Sequence, residues 1–159
     1  MRDIRFVAMH RGGPLTKENH RKLIKWAREC SEHALSLIEG DIDKRLIYAL
    51  HIAEEWEKEN VTVGQAMKAS YSAHAVARES QNPTSMAVAR SVGHAVATAH
   101  MADHSLGAAL YALKAVGHAG KLVEEERSWQ NKQLQQLPSE KVELVSTTMM
   151  KKEKGLKII

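Results

Sequence analysis

The chain has 159 residues, 43% of them hydrophobic but only 4% aromatic, and a formal net charge of +4. That length fits one domain burying roughly 70% of the surface of its unfolded chain, and an apolar fraction built from Ala, Leu, Val and Met predicts closely approaching helices. Cys30 is the single cysteine, which excludes an intramolecular disulfide and suits a reducing cytoplasm; Arg2, Asp3 and Arg5 interrupt the only apolar stretch near the start, so neither a signal peptide nor a membrane span is expected.

Residues 1–15 lack helical periodicity, and His10-Arg11-Gly12-Gly13-Pro14 reads as a turn, so an N-terminal arm packed on the domain is expected. Thr16 caps a first helix whose stripe runs Leu23, Ala27, Cys30, Ala34 and Leu37/Ile38, with Gly40 as its stop. Asp41 is the cap expected for a second helix through Ile42, Leu46, Ala49/Leu50, Ala53 and Trp56, ending by Asn60. Thr62 with Gln65 forms a capping box ahead of Ala66, Met67, Ser70, Ala73, His74 and Ala77.

Asn82-Pro83 is a start signal for a fourth helix, because Asn accepts orphan amides and Pro suits the first helical position. Small residues from Ala87 to Ala99 cover nearly every face of that helix, which predicts a central position between close neighbours. A break is expected at Asp103, with Leu106, Ala109/Leu110, Leu113 and Val116 on the helix that follows. A further helix spans about 121–137 with Leu122, Trp129 and Leu134 inward, and Pro138 opens a short last helix containing Val142 and Val145. Residues 149–159, with Lys151, Lys152, Lys154 and Lys157, form a charged tail. The fold class is therefore all-α: one domain over 1–159, a compact bundle or short solenoid of about six to eight helices with a non-helical arm.

Chemistry is sparse. In His94, His100, Asp103 and His104, the His100/His104 spacing places two imidazoles on one face of a continuous helix, so His100, Asp103 and His104 form an alternative metal set, that of a metal-binding helical protein or a metal-dependent enzyme. The glutamate that follows the first histidine in zinc proteases is absent, and the break at Asp103 spoils the spacing. His74 and His118 supply a third ligand only if their helices face this region. Neutral imidazoles bonded across a half-buried interface are the preferred reading, with no catalytic, cofactor or metal residue assigned. Cys30 lies on the inward stripe, where a thiol behaves as a small hydrophobe despite His33 three residues on. The basic stripe Lys17, Arg21, Lys22, Lys25 and Arg28 is interleaved with Glu18, Glu29 and Glu32 and carries no aromatic residues for stacking, which disfavours nucleic acid. The runs Glu54-Glu55-Trp56-Glu57 and Glu124-Glu125-Glu126 read as solvent faces or docking surfaces for a basic partner.

The opening Met1-Arg2-Asp3-Ile4-Arg5-Phe6-Val7-Ala8, the turn His10-Arg11-Gly12-Gly13, and the blocks Ala77-Arg78-Glu79-Ser80, Asn82-Pro83-Thr84, Val88 to Ala95, Thr98 to His104 and Ala108 to Ala115 resemble immunity proteins of bacterial polymorphic toxin systems. Arg127, Trp129, Gln130 and Leu137-Pro138 extend the resemblance over nearly the whole chain. It implies an all-α domain that neutralises a cognate toxin by binding; joined to the single cysteine and the missing catalytic signatures, it leads to the expectation of a cytoplasmic, non-enzymatic protein acting by stoichiometric binding without a cofactor. Assembly with further copies of the chain is compatible with it. The resemblance carries over no catalytic or metal residue.

Overall fold

The structure, a computed structural model, describes residues 2–156; Lys157 of the expected tail lies outside the described residues. Seven α-helices follow one another: α1 (Lys17–Ala34), α2 (Lys44–Glu57), α3 (Val63–Glu79), α4 (Pro83–Ala97), α5 (His104–His118), α6 (Val123–Leu134) and α7 (Ser139–Leu156). Among the described residues there is no strand, only an isolated bridge between Ala8 and Leu15 that closes the arm onto the start of α1. Two 3-10 turns, Ile4–Phe6 and Met9–Arg11, shape that arm, and Phe6 and Leu15 plug it into the core.

Local chemistry sets most helix starts. Thr16, Thr62 and Asn82 accept from the backbone amides of Asn19, Gln65 and Ser85. The Gln65 side chain returns the favour by accepting from the Thr62 amide at 2.8 Å, completing the box before α3. Thr62→Ala is expected to cost about 1 kcal/mol, read as a lower denaturation midpoint with an unchanged slope. Other boundaries differ from expectation. The cap of α2 is Asp43, whose carboxylate accepts from the Arg45 amide, and Asp41 stands outside the helix. The first helix tightens into a 3-10 turn at Leu35–Leu37 and stops there, leaving Gly40 in the connection with φ of +83°. Leu122, expected inward, is 67% exposed because α6 starts one residue later. The last helix runs on to Leu156 instead of stopping short of Met149.

The centre of the domain is the pair α4 and α5, joined by the six-residue connection 98–103 and packed along each other. α1 lies across both, α2 and α3 cover one flank, and α6 and α7 cover the other. Small residues permit this close approach: Ala27, Ala95 and Ala108 meet where α1, α4 and α5 cross, and all are fully buried. Hydroxyls bridge neighbouring helices as well, Ser91 of α4 donating to the Ala108 carbonyl of α5 at 2.7 Å and Ser70 of α3 donating to the Gly93 carbonyl of α4 at 2.9 Å. Larger side chains fill the α6/α7 flank, where Trp26 donates its indole N–H to the Gln130 carbonyl and Gln130 donates to the Ala109 carbonyl.

Candidate functional site

Most of α4 and α5 is buried, so the polar residues left on them define the site. On α4, Met86, Arg90 and His94 recur every four residues and stay partly accessible. On α5, His104, Gly107, Tyr111, Lys114 and His118 recur at steps of three and four, which is one stripe of a helix. Because the two helices run antiparallel as neighbours, the stripes face one seam. His94 lies beside His104 and stacks on Tyr111 with ring centroids 5.4 Å apart.

Glycines make room for the imidazoles. A Cβ at Gly93 would come within 2.6 Å of the His74 ring, and one at Gly107 within 2.8 Å of the His94 ring. Arg90 donates to Nδ1 of His74 at 2.8 Å, so His74 accepts there and carries its proton on Nε2. His94 and His104 share a contact of 3.1 Å between their Nδ1 atoms, which requires one ring to donate and the other to accept. Burial holds the rings neutral. It pushes His94 down to about 3, aided by the neighbouring His104, His74, Arg90 and Lys152, and His74 down to about 4, aided by Arg90 and Arg78. His104 is lowered by burial against the opposing pull of Asp103.

Two hollows open along the seam. One, of about 480 Å³, is lined by His94, Met101, Asp103, His104, Tyr111 and Lys152. The other, of about 200 Å³, is lined by Met86, Arg90, Tyr111, Lys114 and His118 with Pro83 at its edge. Tyr111 is the wall between them. Lys114 places its Nζ 5.8 Å from the centre of the Tyr111 ring.

The sequence-predicted cluster is divided by this geometry. The helix ends at Ala97 and restarts at His104, so His100 and His104 do not share a helical face, and His104 meets His94 instead. Asp103 precedes α5 without capping it; one oxygen accepts from Arg2 at 3.3 Å and the other is buried without a partner. Among the described residues, no group of three or more His, Cys, Asp or Glu side chains converges to hold a metal ion. The break frees the Thr98 carbonyl, and buried His20 answers it by donating from Nε2 at 2.6 Å. His118 belongs to the smaller hollow and His74 to Arg90.

Cys30 is fully buried, and burial pushes its thiol well up, away from the thiolate a nucleophile needs. His33 is engaged elsewhere, bonded to Glu126 at 2.7 Å and stacked on Trp129 at 3.7 Å. The charged runs answer one another. Lys17 and Arg21 pair with Glu59, Lys22 with Glu18, and Arg28 with Glu32, Glu54 and Glu57, so the α1 stripe, apart from Lys25, is largely matched by carboxylates of α1 and of the α2 segment. Glu124 pairs with Arg127 and Glu126 with His33.

Sequence reasoning missed Arg90, Tyr111 and Lys114. The signal was present in His104-x-x-Gly107-x-x-x-Tyr111-x-x-Lys114-x-x-x-His118, a polar stripe on an otherwise apolar helix.

A family model described as "Imm-5 like putative immunity protein" matches residues 13–137, from the turn before α1 to the end of the α6 segment, and so includes the whole α4/α5 seam. No curated protein matches the chain, and no solved structure matches it. The matched segment is well over half of the chain, which therefore belongs to the Imm-5 like immunity protein family.

Proposed function

We propose that this chain neutralises a cognate toxin by binding it one to one, occluding the toxin's active site with a preformed helical surface. The family match over residues 13–137 carries the reading: it sets the chain among immunity proteins rather than enzymes and implies a toxin partner in general. The packing supports it. Helices that meet through alanine, glycine and short hydroxyls leave little freedom for internal rearrangement, and a rigid surface binds without the cost of ordering loops. Among the described residues, no helix is long and apolar enough to cross a membrane, which is compatible with a partner met in solution.

Co-expression with the toxin encoded by a neighbouring reading frame tests the reading in cells. Protection is expected to rise with the amount of this chain and to disappear when toxin is in excess. Full protection at a small fraction of the toxin's abundance would require turnover and would refute stoichiometric binding.

A further inference from the structure

We propose that the α4/α5 seam is the docking face for an acidic segment of the protein partner, with Arg90 and Lys114 receiving its carboxylates on one side of Tyr111. The proposal rests on the toxin-binding reading and names the surface that reading leaves open.

Charge accounting is the first support. The basic groups of α1 are largely spent on glutamates of α1 and the α2 segment, whereas Arg90, Lys114 and Lys152 take part in no ion pair among the described residues. Among the described residues, the one carboxylate lining either hollow is Asp103, and it is tied to Arg2. The seam therefore concentrates positive charge that the fold does not neutralise.

Arg90 supplies the second. It is partly buried yet bonds a neutral imidazole, not a carboxylate, so its full charge and most of its donors remain available in a place where an isolated cation is costly. A bidentate carboxylate satisfies both the charge and the planar fork of the guanidinium. The hollow of about 200 Å³ beside it has the scale of one acidic side chain, with Lys114 in the same lining and the Met86 and Tyr111 side chains for that residue's methylenes. The larger hollow, with Lys152 at its rim, continues the same face past Tyr111 and admits a second contact from the same segment.

Nucleic acid fits less well. Tyr111 stacks one ring face on His94 and has the Lys114 Nζ 5.8 Å from its centre, and among the residues lining the two hollows no second Tyr, Trp or Phe stands beside it to continue a stacking platform.

The test uses the full chain and two kinds of probe. A short poly-L-glutamate peptide, followed by amide and side-chain NMR shifts, is expected to perturb Arg90, Tyr111 and Lys114 first. Shifts spread evenly over exposed lysines such as Lys68 and Lys132, or no binding, would overturn the proposal. A single-stranded oligonucleotide binding more tightly at the same residues would overturn it in favour of nucleic acid. In the second arm, affinity for the co-encoded toxin is measured with Lys114→Glu, with Arg90→Gln, which keeps an amide donor toward His74, and with Lys68→Glu as a control. Lys114→Glu is expected to weaken binding by about 100-fold and Arg90→Gln by about tenfold, with the control within about threefold. Circular dichroism and thermal midpoints confirm that each variant is folded. A wild-type complex indifferent to Arg90 and Lys114 would refute the seam while leaving the toxin-binding reading intact. Absence of any toxin complex would refute that reading, and the peptide arm then decides the seam alone.

Discussion

Ala95→Leu is expected to destabilise the domain by about 3 kcal/mol, the upper end of ordinary overpacking. Ala95 meets Ala27 and Ala108 at the crossing of α1, α4 and α5, and none of the three is accessible. Each helix contributes only a methyl group there, so no long side chain can swing aside to admit the isobutyl group. The backbones themselves must separate, which strains Ser91's bond to the Ala108 carbonyl and the neighbouring Ser31–Ser91 contact of 2.8 Å. Denaturant titration checks this through a lower midpoint at constant slope. An unchanged midpoint would mean that the crossing has slack and that small residues are not what holds α4 at the centre.

The second large effect is acid sensitivity that begins well above the carboxylate range. His94 and His74 ionise near 6.5 in the unfolded chain but only at about 3 and about 4 in the fold. Between those limits the unfolded chain takes up protons that the folded chain refuses, so stability is fully present above pH 6.5 and falls as pH drops. Each histidine contributes a slope approaching about 1.4 kcal/mol per pH unit. The groups facing them offer no relief: His74 sees Arg78, Arg90, His94 and His104, while His94 sees His74 and Arg90 on α3 and α4, His104 and Tyr111 on α5, and Lys152 on α7. Asp103 acts on His104, but Arg2 already bonds it. Carboxylates whose folded values are depressed, such as Asp3 at about 2 along with Asp43 and Glu59, lose their contribution only below the ordinary carboxylate range. Glu57, which burial raises above its ordinary value, is the opposing carboxylate: it adds stability as it takes up a proton on acidification, so between pH 6.5 and 4.5 the fall produced by the histidines is read against that gain. Thermal midpoints should fall steadily through that window, and His94→Gln should flatten the profile. A level profile in the unmodified chain would show that the rings are not held neutral.

Elements whose cause is local were legible in the residues. Thr16, Thr62 with Gln65, and Asn82-Pro83 cap helices through bonds to amides within three positions, so the sequence neighbourhood contains the whole interaction. The small-residue run placed α4 at the centre because only close neighbours make use of such a surface. Asp43, two residues beyond the expected Asp41 and of the same chemistry, is the cap because Arg45 forks between it and Glu79, a residue of α3 that lies far along the chain. The site was harder to see because each of its contacts crosses between helices. His100 and His104 are neighbours in sequence, yet the partner of His104 is His94, and His74 is held by Arg90 from another helix. The same distance in sequence hid the neutralisation of the α1 stripe by glutamates of the α2 segment.

The most direct test of the central claim is an activity titration of the purified toxin against the purified chain at toxin concentrations far above the dissociation constant. Binding-based neutralisation predicts a linear fall in toxin activity that reaches zero at one chain per toxin, with both proteins recovered intact. Complete inactivation far below equimolar amounts, or a covalently altered toxin, would contradict it.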